Sequence, residues 1–153
     1  MIGCGVYDGQ AREFSTVEVA EILGVNRMNF YEWTCRKYIQ PVRESKRRGN
    51  AAVFNMAGLV AGGIFSKLHK NIRRPIAGKI SRWWQENGYA LPGEVLYCKV
   101  KGNDVTMHSL FDTHDYWNNS DYVIAIPIGS IRQWIETRIK EIHANGHQGD
   151  NTG

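Results

Sequence analysis

The residues with the most evident chemistry are cations. Seven Lys/Arg fall between Arg27 and Arg48, with only Glu32 and Glu44 to offset them. A lysine or arginine that meets a phosphate releases condensed counterions, so a basic run is the electrostatic footprint of a nucleic-acid surface. The run has two parts. Arg27, Arg36 and Lys37 share one stretch with Asn29 and Tyr31, and Arg43, Lys46, Arg47 and Arg48 share the next with Asn50. On an exposed helix face, arginine and asparagine also pair with base edges, which carry the sequence information that phosphates lack. These ten residues are the candidate DNA contacts. The plain alternative is a wet helix face followed by a solvated charged loop.

Other chemistry is weaker. His108, Asp112, His114 and Asp115 lie close together, but their spacing fits no standard metal site. Cys4, Cys35 and Cys98 are odd in number and far apart, without a Cys-x-x-Cys pair, which points to reduced thiols in a cytoplasmic setting. No Ser/His/Asp or Cys/His set has supporting context. Gly3-Cys4-Gly5 and Gly62-Gly63 do not extend to a nucleotide fingerprint. The expectation is a chain with no metal, no cofactor and no catalytic step.

The elements that must position the cations follow from caps and periodicity. Residues 1–13 are glycine-rich and aperiodic and read as a loose arm. Ser15 with Glu18 is a capping box that opens a short helix with Val19, Ile22 and Leu23 at helical spacing. Gly24 stops it, Val25 anchors the turn, and Asn26 caps a second helix from Arg27 to about Lys37. Pro41 ends that stretch, and the chain returns through Ala51 to Phe54 as the second arm of a hairpin with a basic tip. Asn55 caps a third helix carrying Leu59, Val60, Ile64, Phe65 and Leu68. A helix, a glycine turn, a helix and a basic hairpin form a DNA-reading arrangement. The major groove admits one helix, the first helix braces it, and the hairpin reaches a neighbouring phosphate run.

The stretch from Phe14-Ser-Thr-Val-Glu-Val-Ala-Glu-Ile-Leu-Gly-Val-Asn-Arg-Met-Asn-Phe-Tyr-Glu to Trp33 resembles the opening of the MerR-type DNA-binding domain. Glu18-Val19-Ala20, Gly24-Val25 and Phe30 stand at that motif's spacing. Tyr38-Ile39-Gln40-Pro41 is similar to the segment that precedes the family's wing, and Val53-Phe54-Asn55 with Leu59 is similar to its exit. The resemblance covers residues ~14–68. It implies a winged helix-turn-helix with a recognition helix at about 27–37 and a wing at about 43–50. Met28 and Glu32 depart from it, since the family places arginine and tyrosine phosphate contacts there. Arg27 and Tyr31 stand one position away. The family's long coiled coil and metal site have no counterpart in this sequence.

The second half is different. Residues 1–74 hold twelve Lys/Arg against six Asp/Glu, and residues 75–153 hold seven against nine, so a basic half precedes a mildly acidic one. Pro75 starts a fourth helix with Ile76, Ile80, Trp83 and Trp84 on one stripe. At helical spacing at least one of the two tryptophans belongs to the core. Residues 94–111 alternate as a hairpin around Gly102-Asn103, and Tyr122 to Ile128 reads as a third strand with Pro127 at an edge. Ser130 caps a last helix with Ile131, Trp134, Ile135, Ile139 and Ile142 on one face. Residues 144–153 lack large apolar side chains and read as a disordered tail.

The expected architecture is therefore α+β. An N-terminal winged helix-turn-helix (14–70) precedes a small helix, a three-stranded antiparallel sheet and a C-terminal helix (71–143). The apolar stripes exceed what one narrow sheet can cover, which predicts a homodimer through residues 75–143 that reads two half-sites of duplex DNA. The function expected is sequence-selective DNA binding by a transcriptional regulator in the cytoplasm, nucleoid-associated when bound. The alternative is a protein-interaction adaptor, such as a phage or toxin-linked accessory factor, whose partner binds the C-terminal half. No apolar stretch reaches the ~18 residues that span a bilayer, and the N-terminus reads as free of a signal peptide.

Overall fold

A helix end leaves backbone N–H and C=O groups without partners, and this chain supplies them locally. The computed structural model describes residues 12–44, 52–87, 94–108 and 120–152, with side chains described as far as 145. Strand β1 (Phe14–Ser15) leads directly into α1 (Thr16–Leu23). The Ser15 hydroxyl accepts from the Glu18 amide at 3.1 Å, and the Glu18 carboxylate accepts from the Ser15 amide at 3.0 Å. Gly24 then adopts φ 69°, where a side chain would be strained. There Gly24 N–H donates to the Glu21 carbonyl and Val25 N–H to that of Ala20. Asn26 caps α2 (Arg27–Cys35) by accepting from the Met28 amide at 2.7 Å. Lys37, at φ 63°, repeats the same exit without a glycine: its N–H donates to Thr34 and that of Tyr38 to Trp33. The second helix is therefore two residues shorter than its periodicity suggested.

Strand β2 (Val53–Phe54) pairs antiparallel with β1, Phe14 opposite Phe54. On its other side Val53 bridges Arg43. Asn55 caps α3 (Met56–Leu68), and every residue from Ala57 to Ser66 is buried. A helix buried all round is the centre of a core, and α3 packs against α1, α5 (Ile128–Thr152) and α4 (Arg74–Asn87). In α4, Ile76, Ile80 and Trp84 are buried while Trp83 is half-buried.

The remaining strands are β3 (Val95–Lys101), β4 (Asp104–His108) and β5 (Tyr122–Pro127), in the antiparallel order β4-β3-β5. Lys101 faces Asp104 across the Gly102-Asn103 turn. Leu96, Cys98 and Val100 alternate into the core with Ile126. The fold is thus α+β, with five helices and two antiparallel sheets among the described residues.

Two features of the last helix differ from the sequence reading. It begins at Ile128, ahead of Ser130, and continues to Thr152, through the segment read as a tail. Once a helix is nucleated by packing, each added residue gains a hydrogen bond without needing an apolar side chain. Its stripe also serves a different surface. Ile131, Ile135 and Trp134 lie against Gly63 of α3, and Arg138 donates to the Ile22 and Glu21 carbonyls at 3.2 and 3.1 Å. That guanidinium satisfies carbonyls at the end of α1. Buried residues from Phe14 to Ile139 form one continuous cluster, so residues 14–70 and 71–143 share a core.

Close approach makes one glycine necessary. A Cβ at Gly78 would come within 2.2 Å of the Tyr38 ring, which stacks on Phe65 at 4.9 Å. Gly78→Ala gains ~1 kcal/mol of helix propensity and loses ~3 kcal/mol to overpacking. The net loss of about 2 kcal/mol should lower Tm by roughly 4–8 °C in a circular-dichroism melt.

Candidate nucleic-acid interface

Helix α2 has only two buried residues, Phe30 and Trp33. They anchor it through rings. Phe30 meets Phe54 edge-on at 5.1 Å, and Trp33 meets Phe65 at 4.7 Å and His69 at 5.3 Å. Everything else on the helix is outside or partly so. Arg27, Asn29, Tyr31 and Arg36 are exposed, as is Lys37 beyond its end. Met28 is 69% exposed and Tyr31 is 59% exposed. The sequence-derived candidates on this helix are thus all exposed, Arg27 and Tyr31 on one flank of the aromatic anchors and Asn29 and Arg36 on the other, with Met28 and Glu32 between them.

The electrostatics of that side centre on Glu32. Its carboxylate accepts from Arg36 at 3.2 Å and lies 3.8 Å from Arg74. Two guanidinium groups against one carboxylate leave the spot cationic. Tyr31 hydrogen-bonds Cys35 one turn on, and this contact raises its pKa above the ordinary tyrosine value. Arg43 is held differently from its sequence expectation. It makes a two-pronged pair with Glu13, at 2.9 and 2.8 Å, and this raises its pKa further. Exposed pairs of this kind are weak and exchange readily for a phosphate.

The chain on either side of the expected wing is paired. Val42 N–H donates to the Val53 carbonyl at 2.7 Å, and Val53 N–H donates to that of Arg43 at 3.0 Å. The chain leaves β2's flank at Arg43 and returns at Val53. Lys46, Arg47, Arg48 and Asn50 lie outside the described residues.

A third set of cations was not singled out from sequence. The turn between α3 and α4 carries exposed Lys70, Arg73 and Arg74. The Arg74 contact with Glu32 brings this turn beside α2 across 42 positions of chain. Arg73 is engaged by the hairpin turn, donating to Asn103 Oδ1 at 2.6 Å, while Lys79 donates to the Asn103 carbonyl. The signal available in the sequence was the basic run Lys67 to Arg74 itself. Its closeness to α2 is a tertiary fact.

Among the described residues no three of His, Cys, Asp and Glu converge as metal ligands, and no helix is long and apolar enough to cross a membrane. Cys98 is buried in the sheet and its thiol is pushed up to about 12, so it stays protonated. No protein-family model matches the chain, and no curated protein matches it as a relative.

His69 gives the region a pH dependence. Burial, then the charges of Arg74 and Lys70, lower its pKa below the ordinary histidine value. Its ring stacks on Phe65 at 5.2 Å. Below an ordinary pKa of ~6.5 the unfolded chain binds this proton more readily than the folded one. Stability is then fully present above ~6.5 and falls as pH drops through the depressed folded value. Urea midpoints should decline from pH 7 to pH 5 in the parent chain. The decline should be smaller in His69→Phe, which keeps a ring in place and removes the proton.

Proposed function

We propose that the chain is a sequence-selective duplex-DNA-binding protein, acting as a transcriptional regulator through a winged helix-turn-helix. In this reading α2 enters a major groove. Asn29 and Arg27 approach base edges, and Tyr31, Arg36 and Lys37 meet the flanking phosphates. The connection between Arg43 and Val53 reaches a second phosphate run. Lys70 and Arg74 extend the cationic surface on the other flank.

The observation that supports this most is the division of α2. One side is held by two aromatic anchors, while the rest exposes Arg27, Asn29, Tyr31 and Arg36, with basic segments nearby. A helix positioned so firmly, with polar side chains outward beside exposed Met28 and Tyr31, suits readout in a groove. The resemblance of residues ~14–68 to MerR-type domains supports the same reading. The role is binding and not catalysis, in the cytoplasm. Two copies, paired through residues 75–143, would set two such helices on one duplex. The apolar stripes of α4 and α5 are largely spent inside the chain, so this pairing needs another surface of that half.

Gel shifts over a salt series test the proposal. Affinity for a bound duplex should fall steeply with salt, each phosphate contact adding about −0.9 to the log–log slope. Reversing Arg47 and Arg48 to glutamate should flatten that slope by roughly two units and weaken all sequences alike. The shifted band should hold two copies per duplex. Binding that ignores ionic strength, or no binding to any duplex pool, sinks the reading.

A further inference from the structure

A cleft of about 400 Å³ opens between α3, β5 and α5. Its walls include Ile64 and Leu68 of α3, Ile126 of β5, and Ile131 and Trp134 of α5. Interiors normally close such space, and this volume falls within the ~300–1,000 Å³ range of small-molecule sites. The lining is almost wholly apolar, and among the described residues Lys67 is its sole charged side chain. The Lys67 ammonium sits 4.3 Å from the Trp134 ring centroid. Among the described residues it has no carboxylate within ion-pair distance. The indole face holds the cation at the rim of an apolar trough. Ser130 lines the same cleft.

We propose that this cleft binds a small amphipathic monoanion, an aryl or alkyl carboxylate. Its apolar body would fill the trough against Trp134, and its carboxylate would meet Lys67. Charge complementarity selects this occupant. An uncharged ligand would gain nothing from the ammonium, and a dianion would meet only one cation. The site also joins the two halves of the chain, since α3 belongs to one and β5 with α5 to the other. Occupancy should therefore stabilise the whole fold. This site does not depend on the DNA reading, and its test uses no DNA.

The experiment is calorimetric titration of the purified full chain with 2-naphthoate and with its neutral counterpart, 2-naphthalenemethanol. Naphthoate should saturate one site at sub-millimolar concentration and bind about three- to fivefold more tightly than the alcohol. Lys67→Met keeps the stem and should erase that preference while retaining weak binding of both. Ala125→Phe, at an exposed position on the rim, should weaken both ligands, with melting curves confirming that each variant folds. Equal affinities in the parent chain, or a naphthoate affinity unchanged in Lys67→Met, overturn the proposal. So does the absence of saturable heat at millimolar ligand. A chain that is dimeric by light scattering, becomes monomeric in Ala125→Phe and binds neither probe also overturns it, because a second copy then fills the cleft.

Discussion

The seating of Phe30 and Trp33 is the interaction on which the candidate site depends. A nine-residue helix is too short to persist alone, because nucleation costs more than so few hydrogen bonds return. Two rings, meeting Phe54, Phe65 and His69, hold α2 against the rest of the chain. Aromatic contacts of this kind combine large burial with a preferred geometry, so they fix the helix's rotation as well as its position. That rotation decides which residues face water. With Phe30 and Trp33 inward, Arg27, Asn29, Tyr31 and Arg36 have no other place to go.

The anchors rest in turn on α3. Phe65 is a residue of this buried helix, and Phe54 immediately precedes its cap. The same helix receives α1 and α2 on one side and Ile131, Trp134 and Ile135 of α5 on another. A single core therefore links the helix pair at the N-terminus to the sheet and last helix. Arg138 adds a polar tie, closing the carbonyl end of α1 from α5. Helix α5 thus touches α1 directly and shares with the anchors of α2 the packing surface of α3.

Much of this was legible in the sequence because it is local. Ser15 with Glu18, Gly24, Asn26 and Asn55 act within a few residues, and each performs the capping or turning that its type dictates. The Gly102-Asn103 turn and the alternation around it gave the hairpin for the same reason. What was not legible depends on distant neighbours. The stripe on α5 matched a sheet-covering helix equally well, and only packing assigned it to α3 and α1. Arg43 read as a free cation, yet Glu13, thirty positions earlier, holds it. The closeness of Arg74 to Glu32 follows from how α4 folds back, which no periodicity states.

The central claim is that the exposed side of α2 reads base sequence. Selection of bound duplexes from a random pool addresses it most directly, with the parent chain and an Asn29→Ala variant run in parallel. The account predicts an enriched short motif for the parent chain and loss of preference at one base position for the variant, with the rest of the motif retained. A folded parent chain that leaves the pool unenriched, or a variant that selects the identical motif at every position, would contradict it.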